Sequence, residues 1–170
     1  AKLKRAQDAI IQMRPYANKL TEILHNLSNT LGEDGSTGYS SQREIRSVLL
    51  VTITSNRGLC GGFNASIIKS AKNIINNKHK SAKVDILSIG KRSSEHFTKN
   101  NFSINSVHDE LYNDLSFENV SVISESIIEQ FLEKKYDKVL LVYNQFKNAA
   151  TQIVINEDYL PISNNKDKKE

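Results

Sequence analysis

A heptad-type seam near the start of the chain constrains its fold more than any other feature. Between residues 3 and 31, apolar side chains recur at alternating steps of three and four residues. This spacing is typical of a coiled-coil helix, which would run to about 45 Å at about 1.5 Å rise per residue. A helix lying on a domain core would show a broader stripe. The seam residues are Leu3, Ala6, Ile10, Met13, Ala17, Leu20, Leu24, Leu27 and Leu31.

Pro15 is the one residue that disturbs this helix. Proline lacks an amide donor and crowds the preceding turn, so we expect a kink near Ile11. Because Pro15 lies off the seam and the pattern resumes in phase at Ala17, one bent helix fits better than two. No later segment repeats a seam of this length. The helix is therefore expected to pair with a segment outside the sequence or with another chain.

Composition and charge indicate a soluble globular protein with no obvious nucleic-acid role. Apolar residues make up 38% of the chain and charged residues 25%, and no apolar run approaches the ~18 residues of a membrane span. The net charge of +4 is spread along the whole chain, whereas nucleic-acid binders usually concentrate it on one face. The single cysteine, Cys60, cannot form an internal disulfide, which fits a reducing compartment.

The chain divides into four predicted regions. Residues 1–31 form the coiled-coil helix, and residues 32–44, which are rich in glycine and serine, read as a flexible linker. Residues 45–162 alternate apolar β-branched runs with amphipathic segments, which is typical of a Rossmann-like layered α/β domain with a largely parallel sheet. Residues 163–170 are polar and are expected to form a disordered tail.

The α/β region is predicted to contain about five strands with flanking helices. The runs at residues 48–53 and 139–143 are continuously apolar, so we expect them to be neighbours at the centre of the sheet. The other predicted strands are residues 84–89 and 102–107, with residues 152–155 as an edge strand. The predicted helices begin at Asn64, which is expected to act as an N-cap, at Lys91 and near Val120.

The glycine-rich turn after the first strand is where a nucleotide would bind in many α/β proteins. Gly58, Gly61 and Gly62 are spaced G-x-x-G-G, unlike the dinucleotide fingerprint, and Phe63 and Asn64 replace the Lys and Ser/Thr of a P-loop. The second strand ends in Gly-Lys-Arg where a ribose-binding acid would be expected. We therefore interpret the turn as structural, with positive backbone φ angles at its glycines. A nucleotide-binding domain remains the alternative.

The sequence assigns no catalytic residue, cofactor or metal. The four histidines share no metal-ligand spacing, and each is interpreted as a solvated side chain. Cys60 could be a nucleophile at a helix N-terminus, where its pKa would fall, but no base lies close to it in sequence. No acidic pair can be given a general acid–base role from sequence.

Residues 54–64 read TSNRGLCGGFN. This segment is similar to the signature turn, TSDRGLCGGFN, of γ subunits of the rotary F-type ATP synthase of the bacterial type. Only Asn56 departs, and it should keep the turn geometry. The opening of the chain resembles the family's N-terminal shaft helix. The remaining matches are residues 136–137, 142–146, 151–152 and 160–162, so the resemblance spans nearly the whole chain.

The resemblance implies a non-catalytic rotor subunit of the central stalk. Such a subunit transmits torque between the membrane c-ring and the catalytic α/β ring in proton-driven ATP synthesis. The α, β and ε subunits and the c-ring would be its partners, at the cytoplasmic face of the bacterial inner membrane. The turn would lie close to the catalytic β subunits, through Arg57, Gly58, Leu59, Cys60, Gly61 and Gly62.

In that family the N-terminal helix winds antiparallel around a long C-terminal helix. The resemblance therefore implies that this chain is truncated at both ends and lacks most of the shaft. Without that partner, the seam at residues 3–31 is expected to pair with the same helix of another copy, although folding back on the α/β domain stays open. An unrelated coiled-coil adaptor is the remaining alternative.

Overall fold

The computed structural model describes residues 2–30 and 38–162, apart from the side chains of residues 25 and 27–30. The chain forms two compact units. One contains residues 1–41 and 162–170, and the other is Gln42–Pro161. Residues 32–37 of the predicted linker and the whole predicted tail lie outside the described residues, so the four proposed regions remain a prediction. The described part of the linker includes a short 3-10 turn at Gly38–Ser40.

The first unit is dominated by one helix, α1 (Lys2–Thr30), which continues through Pro15. The seam side chains of Leu3, Met13, Leu20 and Leu24 are all more than half exposed. Apolar side chains off the seam are exposed as well, namely Ile11, Tyr16 and Ile23. The exposed apolar surface is thus broader than the bare seam. Leu31 and the side chain of Leu27 fall outside the described residues, and coiled-coil pairing stays a prediction.

The second unit contains a five-stranded sheet in the order β3-β2-β1-β4-β5. Strand β1 pairs in parallel with both β2 and β4, β2 pairs in parallel with β3, and only β5 is antiparallel. The predicted neighbourhood of residues 48–53 and 139–143 is confirmed, because β1 and β4 pair at the centre of the sheet. The strands are β1 (Ser47–Ile53), β2 (Lys83–Ile89), β3 (Ile104–Val107), β4 (Lys138–Asn148) and β5 (Thr151–Leu160).

Helices cover both faces of this sheet. The helices are α2 (Phe63–Asn73), extended by a π-helical turn at Ile74–Lys78, α3 (Lys91–Lys99) and α4 (Phe117–Leu132). Ile67 and Ala71 of α2 and Phe97 of α3 pack with Val48, Leu50 and Ile86 in one buried cluster. Side chains alternate along a strand, so Leu49 and Val51 face the opposite side. Both side chains are fully buried, so that side is covered as well. The right-handed connection that parallel strands favour is expected to place α4 there, between β3 and β4.

Some boundaries differ from the prediction. Strands β4 and β5 are longer than expected because they form an antiparallel hairpin whose backbone pairing runs on through polar residues as far as Asn148 and Thr151. Helix α4 begins at Phe117 rather than near Val120, because the Ser116 hydroxyl caps it by accepting a hydrogen bond from the Asn119 amide. A side-chain cap of this kind satisfies an otherwise unpaired amide in the first turn.

One carboxylate, Asp85, is buried within β2 and held by three donors. It accepts hydrogen bonds from the Tyr136 hydroxyl at 2.8 Å and the Ser103 hydroxyl at 2.5 Å, and Lys83 Nζ lies 3.5 Å away. Burial alone would raise the pKa of Asp85, but the hydrogen bonds from Ser103 and Tyr136, together with Lys83, outweigh it and lower the pKa. The ionised carboxylate is therefore the form that the fold stabilises.

We predict that Tyr136→Phe destabilises the fold by about 1–3 kcal/mol at neutral pH, because Asp85 loses a donor in a buried position. A carboxyl whose pKa is lower in the folded state than in the unfolded state, where it is about 3.9, stabilises the fold at any pH above that unfolded-state pKa. This stabilisation is lost as the pH falls through the folded-state pKa. The difference between wild type and variant should therefore shrink below about pH 4. Urea denaturation across pH would measure it.

Tyr143→Phe is the matched control, because the Tyr143 hydroxyl also donates to a carboxylate, but that carboxylate, Glu157, is exposed whereas Asp85 is buried. We expect that substitution to cost less than about 1 kcal/mol. Equal losses for the two variants, or a Tyr136→Phe loss that is constant down to pH 3, would contradict the proposed role of the buried carboxylate.

Candidate functional site

The glycine-rich turn lies at the carboxyl edge of the sheet. Residues 54–62 leave the end of β1 and lead into α2. Beside the turn is a cleft of about 530 Å³, which is also lined by Tyr143 and Asn144 in the middle of β4 and by Tyr112. The predicted partner-contact residues at positions 57–62 all lie in this turn. The seam residues belong to the other compact unit.

Asn64 supports the turn from beneath. Its side-chain Oδ1 accepts a hydrogen bond from the Ser55 amide at 2.9 Å, and its Nδ2 donates to the Arg57 carbonyl at 3.2 Å and to the Ser55 hydroxyl at 2.9 Å. The prediction that Asn64 is the N-cap of α2 is wrong. The helix begins at Phe63 with Gly62 in the capping position and no side-chain cap. The amide is engaged by the loop instead, which only the folded turn reveals.

Asn56, the one departure from the signature turn, ties the turn to two other elements. Its Nδ2 donates to the Asp109 carbonyl at 2.9 Å, and its Oδ1 accepts from the Lys91 amide at 2.8 Å at the start of α3. An aspartate could accept the second bond but could not donate the first. The expectation that asparagine keeps the turn geometry agrees with these contacts, and the amide adds one donor.

The tip of the turn is exposed. Leu59 is fully exposed and has a positive φ of 56°, which is uncommon for a leucine. Gly61 also has a positive φ, 57°, as predicted, but Gly62 has a φ of −79° and open space where a side chain would be. A Cβ at Gly58 would lie 2.9 Å from the Arg92 guanidinium. The fold therefore favours glycine strongly at 61, whereas at 62 the N-cap position favours glycine without requiring it.

The nucleophilic and metal-binding candidates do not converge. Cys60 is exposed, and its sulfur lies 3.1 Å from the Asn64 side-chain nitrogen. Within residues 2–30 and 38–162, no group of three or more His, Cys, Asp and Glu side chains could hold a metal ion. The interpretation of the histidines as solvated is wrong for His79, His96 and His108, which are partly buried; burial is the largest cause of their lowered pKa values.

A residue that the sequence analysis did not single out, Gly90, fixes the wall of the site. Its φ is +101°, and a Cβ there would lie 2.0 Å from the Thr54 carbonyl oxygen. Thr54 Oγ1 donates to the Gly90 carbonyl at 3.1 Å and accepts from the Ser93 amide at 3.0 Å. The end of β1 and the start of α3 therefore touch through their backbones. The signal in the sequence was a glycine directly after a strand.

Comparison with known proteins identifies the family. The sequence profile described as ATP synthase matches residues 1–170. The ATP synthase gamma chain of Christiangramia forsetii is 51% identical over 95% of this chain, and that of Flavobacterium johnsoniae is 50% identical over 96%. The chain covers 56% of each, so it spans about half the length of these relatives.

Solved structures agree with this comparison. The central stalk and c-ring structure of the Tetrahymena thermophila mitochondrial ATP synthase contains a chain that is 26% identical, with a TM-score of 0.59. The match covers 88% of this chain and 71% of that one. A rotor chain of the Euglena gracilis enzyme shares the fold, with a TM-score of 0.55 at 17% identity.

These matches place the protein among the subunits of ATP synthase. Since the curated relatives are gamma chains, the chain belongs to the ATP synthase γ-subunit family. The resemblance drawn from the signature turn is thereby confirmed, and so is the α/β fold class. Among the described residues, no helix is both long and apolar enough to span a bilayer.

We predict that Gly90→Ala destabilises the protein by at least about 3 kcal/mol, because it combines an unfavourable φ with a backbone overlap. Gly62→Ala is the matched control, since that position has ordinary φ and open space. It should change stability by less than about 1 kcal/mol and can even stabilise by restricting the unfolded chain. Thermal denaturation of both variants would test this, and a well-folded Gly90→Ala protein would contradict it.

Proposed function

We propose that the protein acts as a central-stalk rotor subunit that transmits torque between the c-ring and the catalytic α/β ring during proton-driven ATP synthesis. It is proposed to be non-catalytic and to contribute mechanical contacts only. The observation that carries the proposal is a turn held rigidly at its base and exposed at its tip, in a chain of the γ-subunit family. A rigid base allows a contact to transmit force rather than yield.

The turn is proposed to contact the catalytic β subunits through residues 57–62. Three of its features favour a partner. The Leu59 side chain is fully exposed, although burial of leucine is worth about 1.5–3 kcal/mol. Gly62 leaves open space that the fold does not require, so that a partner's backbone could approach closely. Arg57 is exposed and adds a positive charge.

Helix α1 is proposed to form one strand of the rotor shaft. Its apolar side chains stay exposed along the length that the structure describes, from Leu3 to Leu24. The curated relatives are longer than this chain, and the resemblance implies that a C-terminal helix of the whole subunit winds antiparallel around α1. A two-stranded rod of this kind resists twisting better than a single helix.

The remaining partners follow from the resemblance rather than from contacts. The ε subunit and the c-ring are proposed to bind the α/β domain, with the assembled complex at the cytoplasmic face of the bacterial inner membrane. The peripheral position agrees with the absence of a spanning helix among the described residues. A nucleotide-binding domain or an unrelated coiled-coil adaptor is not favoured, because the family profile matches the whole chain.

We predict that Leu59→Asp in the full-length subunit reduces proton-driven ATP synthesis by reconstituted complexes several-fold, because a charge would replace an apolar contact at the β interface. The fold should be unaffected, since the side chain touches little of its own chain. Leu115→Asp is the matched control, because that leucine is also exposed but lies outside the turn. Equal activity of the two variants would contradict the contact.

A second prediction concerns α1 in the 170-residue chain. Because the exposed seam would leave several hundred Å² of apolar surface in water, worth several kcal/mol at about 25 cal/mol per Å², we expect two copies to pair through it. Leu20→Asp with Leu24→Asp should abolish this association in sedimentation experiments and leave the α/β domain folded.

The matched control places the same charges on the outer face of α1. Gln12→Asp with Asn18→Asp falls off the seam, so the association should survive that pair of changes. A wild-type chain that sediments strictly as a monomer, with rapidly exchanging backbone amides across residues 20–24, would contradict the pairing.

A further inference from the structure

The cleft beside the glycine-rich turn has a lining that suits a ligand. Its volume, about 530 Å³, falls within the usual range for small-molecule sites. Four of its lining residues offer large apolar surfaces, namely Ile53, Phe63, Tyr112 and Tyr143, and Arg57 lies at its margin. Two of these residues come from the β1–α2 segment, and the tyrosines come from the 3-10 turn at Asp109–Asn113 and from β4.

The cleft lies where the order of the sheet reverses. From β1 the chain moves through α2 to β2 on one side, whereas β4, on the other side of β1, is reached from β3 through α4. The two crossovers diverge, and a crevice opens at the carboxyl end of β1, beside residues 143–144 of β4. In open α/β sheets this switch point is the usual place for a ligand. The cleft is thus built by the topology.

The polar groups along the cleft are already paired within the chain. The Tyr112 hydroxyl donates to the Thr54 carbonyl at 2.8 Å, and the Tyr143 hydroxyl donates to Glu157 at 2.6 Å. Burial, together with Glu157, raises the pKa of Tyr143 to about 12, so the hydroxyl keeps its proton. The Asn144 amide donates to the Phe63 carbonyl at 2.7 Å. The cleft therefore presents mainly apolar and aromatic carbon rather than free hydroxyls.

Arg57 differs from these residues. Its carbonyl accepts bonds from Ser55 and Asn64, which fixes its backbone. Its exposed guanidinium, in contrast, makes no hydrogen bond or ion pair with any residue that the structure describes. Guanidinium groups bind carboxylates through two parallel hydrogen bonds. The Glu157 carboxylate, bonded to the Tyr143 hydroxyl, already places a negative charge at the Tyr143 end of the cleft. A second negative charge is disfavoured there, so the anion is assigned to the Arg57 end.

We propose that this cleft binds a small aromatic carboxylate, with its ring between Phe63, Tyr112 and Tyr143 and its carboxylate on Arg57. The apolar lining accounts for the ring, and the unpaired guanidinium accounts for the charge. A nucleotide fits less well, because its base edges and ribose hydroxyls need polar partners that this lining has already used. The proposed rotor role neither requires nor excludes such a ligand.

The test uses the 170-residue chain with 2-naphthoate and its neutral analogue 2-naphthylmethanol as probes, followed by two-dimensional amide NMR. Naphthoate should give saturable shifts at residues 53–57 and 143–144 and bind at least about fivefold more tightly than the alcohol, since hydrogen bonds to charged groups are the stronger ones. Arg57→Gln should remove that preference while the alcohol's affinity stays within about twofold of wild type.

Arg46→Gln is the matched control. Arg46 is an exposed arginine just before the amino end of β1, and its ion pair with Glu44 is also exposed. That variant should bind naphthoate as the wild type does. The proposal is overturned by any of three results: no saturable shift at millimolar naphthoate, shifts centred outside the cleft, or an Arg57→Gln effect no larger than that of Arg46→Gln. Because no other subunit takes part, each result is independent of the proposed contact with β.

Discussion

The backbone contact between Gly90 and Thr54 is the constraint on which the carboxyl edge of the sheet depends. It joins the end of β1 to the start of α3 at a distance that no Cβ could occupy. The Thr54 carbonyl accepts a hydrogen bond from the Tyr112 hydroxyl. The backbone amide of the next residue, Ser55, donates a hydrogen bond to the Asn64 side chain. This close approach and the two hydrogen bonds together hold the turn and the 3-10 segment against the end of β1.

This arrangement separates a fixed base from an open tip. Below the tip, Asn56 and Asn64 use their amides to tie the turn to α3, to Asp109 and to the turn's own backbone. Above it, Leu59 touches almost nothing, and Gly62 has no neighbour that demands a glycine. An exposed leucine that the fold does not use suggests a contact outside the chain. Leu59 therefore supports the interface proposed for the tip.

Much of the sheet could be predicted because burial leaves a direct mark on sequence. The continuous apolar runs of β1 and β4 indicated central strands, and a helix was predicted to begin near Val120, within α4. The ends of elements were harder, since the β4–β5 hairpin continues through polar residues held by backbone pairing alone. Asn64 was misassigned because a cap and a loop brace require the same side chain. The cleft could not be predicted, as its walls come from segments that only the topology brings together.

The sheet also shows why fold and function must be argued separately. Its strand order and diverging crossovers match half of a dinucleotide-binding fold, including the crevice at the switch point. In such folds the end of the second strand carries the acid that binds the ribose. Here that position is Gly90, whose backbone is packed against Thr54, followed by Lys91 and Arg92. The position that would select a nucleotide in those folds braces the turn in this protein. The same edge that binds a cofactor in those folds forms a braced support here, and this arrangement suits the force transmission proposed above.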